Sequence, residues 1–224
     1  MNSLEADARL KAVLARLHAE SDGQTASLVS FISDKGGKSV SGTLQDLEEG
    51  REFWRDKLVA LEPEKARFCY FLCRALNARR IVEAGTSFGV STLYLAAAVR
   101  DNGGGLVIGT EYEPSKAGIA RANFAEAGLS DSIELREGDL RETLTSLEGP
   151  IDFLLTDIWT PLARPALALV APHMRRGAVA IADNTDTYRK GYADYFAFLG
   201  DRANGFSTMT LPFDGGLLMA IKTV

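Results

Sequence analysis

Cysteine, histidine and long apolar runs are what this chain has least of, and each shortage narrows the function. Two cysteines, Cys69 and Cys73, stand four apart in a helix-like stretch. One helical turn favours no disulfide between them, and the spacing is not the Cys-x-x-Cys of a zinc site. They read as small buried apolar groups. His18 and His173 are the only histidines, which excludes a multi-histidine metal centre. No apolar run approaches the length that crosses a bilayer. The first 17 residues mix charges with apolar side chains, unlike a secretory signal. A cytoplasmic protein with no membrane partner is the expectation. Cationic excess is missing too: 25 Lys and Arg against 30 Asp and Glu give a net charge of −5. Binding along a phosphate backbone needs a basic face, so nucleic acid is disfavoured as a partner.

What is present is a core. With 46% hydrophobic and 25% charged residues over 224 positions, the chain has enough apolar surface for one large domain, and global disorder is excluded. Residues 3–19 carry apolar side chains at helical spacing, and helical patterns resume over 44–60 and from Pro63 to about Leu76. The intervening polar stretch, Ser33 to Gly42, contains Gly37-Lys38-Ser39. Ile32 stands where a phosphate loop needs its first glycine, so this reads as a flexible loop. Residues 1–62 are expected to form a helical arm or cap, and 63–224 the main domain.

From Arg80 the pattern alternates. Short apolar strands are predicted at 81–84, 106–110, 133–135, 151–156 and 179–182, with helices at 91–99, 115–127, 140–147 and 193–199. Strands at 207–212 and 217–222 flank Phe213-Asp214-Gly215-Gly216, a hairpin turn. The fold class that follows is α/β: a mostly parallel seven-stranded sheet of Rossmann-like design, helices on both faces, closed by an antiparallel hairpin. Ligands bind such sheets beyond the carboxyl ends of the strands, so the residues there are the candidates.

The first strand ends in Glu83-Ala84-Gly85-Thr86-Ser87-Phe88-Gly89-Val90-Ser91. Gly85 and Gly89 let backbone approach a ligand, and the next helix offers free amide donors. Glu83 is costly in a buried strand unless it meets donors. A cationic ammonium or sulfonium ligand is one reading, and backbone hydrogen bonding is the other. Glu111, after the second strand, stands near the offset at which an acid takes ribose hydroxyls. Asp139, after the third, either accepts from an adenine amino group or caps the following helix.

Together these stretches resemble the S-adenosylmethionine-dependent O-methyltransferases of the Rossmann-like class, and within it the catechol and caffeoyl-coenzyme A group. Ile81 to Ser91 looks like that group's cofactor loop, and Gly109 to Pro114 and Ile119 to Gly128 look like its second strand and helix. The resemblance covers Pro63 to Val224. It implies S-adenosylmethionine as cofactor, with Glu83, Gly85 and Ser91 holding the methionine part, Glu111 the ribose and Asp139 the adenine. It also implies a small hydroxylated acceptor and leaves a homodimer open.

Asp157, Asp183 and Asn184 close the fourth and fifth strands. They are hard oxygen donors suited to Mg²⁺, which matches the group's metal triad and makes Mg²⁺ a candidate cofactor. The same acids can serve as turn caps. Asp157 is the candidate catalytic residue, either as metal ligand or in direct contact with cofactor or acceptor. One position departs from the group: its metal-dependent members carry a lysine base three residues after the first metal aspartate, and here Thr160 stands there. Metal alone acidifies the hydroxyl, another group acts (Tyr188 and Lys190 are the candidates), or the reaction is absent. The readings are therefore a metal-assisted O-methyltransferase, a metal-independent methyltransferase and a non-catalytic cofactor-binding module.

Overall fold

The structure, a computed structural model, describes residues 3–34 and 42–224. Most of the Ser33 to Gly42 loop lies outside the described residues. Seven strands form one sheet in the order β3-β2-β1-β4-β5-β7-β6. These are β1 (Arg80–Ala84), β2 (Leu106–Glu111), β3 (Ile133–Glu137), β4 (Ile151–Thr156), β5 (Met174–Ala182), β6 (Phe206–Leu211) and β7 (Leu217–Lys222). The β3-β2-β1-β4-β5 pairs are parallel. β7 runs antiparallel to both β5 and β6. The reversal of strand order at β1, with β2 on one side and β4 on the other, opens a crevice beyond their carboxyl ends.

Alternation within the strands divides the core between the two faces. Ile81, Phe153, Leu155 and Ile181 point to one side. Val82, Ala84, Leu154 and Ala180 point to the other. The first face is covered by α1 (Ala8–Asp34), α3 (Pro63–Ala75), α4 (Val90–Asp101) and α5 (Pro114–Ala127), and the second by α6 (Leu140–Thr143), α7 (Thr160–Val170) and α8 (Ala193–Gly200). Every residue from Val90 to Val99 is buried, as expected of a helix whose sequence is apolar all round. α2 (Leu44–Trp54) begins at Thr43, whose side chain and that of Asp46 form a capping box.

Several elements differ from their expected lengths. The first helix runs on to Asp34, because the polar residues after Ala19 stay on an exposed surface that periodicity alone does not terminate. β5 begins at Met174, five residues before the predicted start, and α7 was not predicted. Pro161 and Pro165 obscured that helix, yet the first sits in its opening turn, where no amide donor is needed. Leu10, Val13, Leu14 and Leu17 of α1 share a core with Phe124 and Leu129, and Arg9 donates to the carbonyls of Ala125 and Glu126 at the end of α5. Cys69 and Cys73 are buried free thiols.

Asp152 ties the amino-side end of the sheet together. Its Oδ2 accepts from the amides of Arg79 (2.7 Å) and Arg80 (2.9 Å), and its Oδ1 from Arg175 Nε at 2.5 Å. The β4–β5 register shifts at this point. Burial works against the carboxylate, but these donors outweigh it and hold Asp152 below the ordinary aspartate range. A folded-state value below the unfolded one stabilises above the unfolded value, and that stability is lost as pH falls through the folded value. Asp152→Asn is expected to cost about 1–3 kcal/mol at neutral pH. The loss relative to wild type should shrink below the ordinary value of 3.8. Urea denaturation across pH checks both.

Candidate functional site

The carboxyl ends of β1, β2, β4 and β5 open into one cavity of about 360 Å³, within the roughly 300–1,000 Å³ of small-molecule sites. Backbone bonds carry the strands into it. Asp157 N–H donates to Ala84 O at 3.0 Å, Asp183 N–H to Thr156 O at 3.2 Å, and Thr86 N–H to Thr110 O at 2.9 Å. Gly85, at φ +99°, lies against the Asp157 carbonyl, where a Cβ would come within 2.0 Å of the oxygen. The loop after β1 thus passes directly over the end of β4, which only glycine allows.

Gly85, Ser91, Glu111, Asp139, Asp157, Asp183 and Asn184 all line this cavity. Glu111 spans its β2 edge, with Oε2 accepting from Ser87 N–H at 2.7 Å and Oε1 from Glu113 N–H at 2.8 Å. Burial pushes its carboxyl up, and the backbone donors oppose that. Each oxygen keeps a lone pair for a further donor. Asp139 accepts from Arg141 N–H at 2.8 Å and pairs with the Arg141 guanidinium at 2.5 Å. It therefore caps α6 while facing the cavity.

Glu83 is placed differently. It is fully buried and not part of the cavity wall. Its Oε2 accepts from Thr86 Oγ1 at 2.9 Å and from Thr92 Oγ1, and Oε1 has no partner. Burial raises its pKa against those hydroxyl donors. Glu83 thus braces the glycine loop from below, with threonine hydroxyls and, among the described residues, no backbone amide as its donors.

Sequence reasoning missed three features. Ser87 holds a positive φ of 49°, and its buried Oγ has no partner; nothing in a Thr-Ser pair between glycines marks it. Helix α2 supplies an aromatic wall in which Trp54, 5% exposed, packs 5.0 Å from Trp159. Arg51 holds α2 over the β2 end through Glu113 at 2.5 Å and lies over the Tyr112 ring. The third is Lys65, 1% exposed. Its ammonium lies 2.7 Å from Asp183 Oδ1 and 2.6 Å from Glu62 Oε2. Burial works against that charge, and the two acids more than reverse it, so Lys65 stays protonated above the ordinary lysine range.

Asp157, Asp183 and Asn184 all line the cavity, and both oxygens of Asp183 are engaged. Asp183 Oδ1 takes Lys65 and Oδ2 takes the Asn184 side-chain amide at 2.9 Å. Asn184, at φ +55°, turns its Oδ1 toward Gly215, where a Cβ would stand 2.5 Å away. Asp157 has no side-chain hydrogen bond among the described residues. Burial, then repulsion from Asp183 and Glu83, raises its pKa well above the ordinary value. Of the two suggested substitutes for the lysine missing at Thr160, Tyr188 lines the cavity and Lys190 is exposed. Thr160 is buried with an unpartnered Oγ1.

Residues 82–185 match a family model described as a methyltransferase domain. The chain is 30% identical over 158 residues to the catechol O-methyltransferase of Niastella koreensis, covering 63% of this chain and 71% of that protein. This chain belongs to the S-adenosylmethionine-dependent O-methyltransferases. Its identity with the catechol O-methyltransferase of Mycobacterium tuberculosis is 34% over 127 residues, or 56% of this chain and 57% of that one. The chain thus spans little more than half the length of that relative. Among solved structures, the O-methyltransferase TomG from Streptomyces achromogenes, in complex with S-adenosylmethionine, superposes with a TM-score of 0.68 at 26% identity, covering 78% of this chain and 86% of that one.

The Gly85 crossing gives this methyltransferase a sharp test. Gly85→Ala is expected to displace the loop and lower stability by about 1–3 kcal/mol. Thermal denaturation should show the loss, and Gly23→Ala, with open space around it, should not.

Proposed function

We propose that this protein transfers a methyl group from S-adenosylmethionine to the hydroxyl of a small, largely apolar acceptor at the rim of the sheet. One observation carries the reading: a single cavity joins the Glu111 edge and glycine loop to the Asp157 carboxylate and the Trp54–Trp159 wall. The residues suit the cofactor. Glu111 has lone pairs for two ribose hydroxyls, and Asp139 faces the adenine end. Ser87 offers a buried hydroxyl that lacks a partner, beside Gly85 and Ser91 at the methionine end. Glu83 acts on that ligand through the loop it braces.

The bound cofactor supplies a methyl carbon made electrophilic by its sulfonium. The chain supplies alignment. Holding acceptor oxygen, carbon and sulfur in line contributes up to about 7–11 kcal/mol. Asp157, exposed to the cavity and free of other partners, accepts the hydrogen bond of the acceptor hydroxyl. It takes that proton as the new C–O bond forms and the C–S bond breaks, the bonding pair staying on sulfur. Trp54, Leu58 and Trp159 pack against the acceptor and exclude water.

Mg²⁺ has no part in this reading. Asp183 is already paired with the Lys65 ammonium at 2.7 Å, a positive charge that repels a cation from the same carboxylate, whereas Mg²⁺ demands a nearly octahedral shell of oxygens. The metal-independent alternative is therefore the one the donor set favours.

Calorimetric titration with S-adenosylmethionine, followed by turnover with catechol and related hydroxylated aromatics, tests the proposal. Glu111→Ala is expected to weaken cofactor affinity about 10- to 100-fold, the loss of charge-assisted hydrogen bonds. Unchanged affinity in that variant overturns the ribose assignment. Tight binding without turnover over the acceptor panel favours a binding module.

A further inference from the structure

Two carboxylates at neighbouring strand ends, buried from water, must be neutralised by something. At this rim the neutralising group is already in the chain. Lys65 enters from the first turn of α3, where Pro63 occupies the opening helical position. Its ammonium contacts Asp183 from 118 positions away in sequence. Glu62, three residues before it on the same turn, takes a second donor of that ammonium.

Resting on the methyl-transfer reading of this cavity, we propose that Lys65 stands in for a divalent cation at this rim, fixing Asp183 beside Asp157 and making transfer independent of metal. Three features support it. The ammonium sits within hydrogen-bond distance of Asp183 Oδ1, where it repels a second cation. Asn184 donates to the other oxygen of Asp183 and turns its own carbonyl toward the β6–β7 turn, which leaves Asp157 as the triad's one carboxylate without an N–H partner among the described residues, where a hard cation needs several oxygens. Thr160 brings no charge to the acceptor side, so the rim's cation comes from α3. Lys65 is not part of the cavity wall. It is a positioning residue acting through Asp183, and Asp157 is the carboxylate left for the acceptor.

The test uses the full chain and needs no identified acceptor for its first arm. Electron paramagnetic resonance of Mn²⁺ alone should show no specific binding by wild type up to about 1 mM, the weak end of protein cation sites. Lys65→Met, which keeps the length and removes the charge, should create a Mn²⁺ site at least tenfold tighter, and a second change, Asp183→Asn, should abolish it. In the second arm, catechol methylation by wild type should survive EDTA. Lys65→Met should lose about 10- to 100-fold in kcat, as supporting residues of charged sites do, with part of the loss restored by Mg²⁺. Lys65→Arg, retaining the charge, should stay EDTA-resistant. Micromolar Mn²⁺ binding by wild type, or activity abolished by EDTA and restored by Mg²⁺, overturns the proposal and leaves methyl transfer standing. No turnover under any ion overturns the methyl-transfer reading, and the Mn²⁺ arm still decides the role of Lys65. If Lys65→Met does not fold, the wild-type and Lys65→Arg measurements decide it alone.

Discussion

Acidic groups crowded at the carboxyl rim of a buried sheet are the constraint around which this molecule is organised. Glu83, Asp157 and Asp183 lie at the ends of three adjacent strands, and desolvation raises the cost of ionising each. The chain meets that cost in a different way at each residue. Threonine hydroxyls surround Glu83, an ammonium meets Asp183, and Asp157 is left facing open space. That difference separates support from chemistry. A carboxylate buried on internal donors holds the fold in place, and one that faces the cavity without partners is available to a ligand.

The same rim depends on two close approaches of backbone. Gly85 crosses the end of β4 at a distance no side chain permits, and the loop it begins ends on Gly89, at φ +88° before α4. Because α4 is buried on every side, the loop cannot relax by shifting the helix outward. The glycine-loop end of the cavity is therefore held by the densest part of the core. The opposite end is walled by Trp54 from α2 and Trp159 from the start of α7. The polar and the apolar walls thus come from different parts of the chain.

Periodicity made most of the fold legible. Short apolar runs between helical patterns located all seven strands, and the Gly-Gly turn located the hairpin. Amphipathic spacing located most helices, though prolines at 161 and 165 hid α7. The candidate residues at the strand ends were legible for the same reason, since in a parallel sheet the residue after a strand sits at the rim. Local residue patterns resolved less about roles. Asp139 reads equally as cap or ligand from its neighbours, and in the fold it caps α6 from a position facing the cavity. Glu83 reads either as a ligand residue or as a structural acceptor, and in the fold it lies beneath the loop and outside the cavity wall.

The succession of strands along the chain, the glycine loop and the acids at the strand ends belong to the sequence alone, because each follows from residues within a few positions of one another. Which partner each acid found was decided by tertiary packing. Lys65 reached Asp183 and Trp54 reached Trp159 from elements more than a hundred residues away. An ion pair or a ring contact is a short-range interaction between side chains, and no local pattern records where a separately folded helix will come to rest.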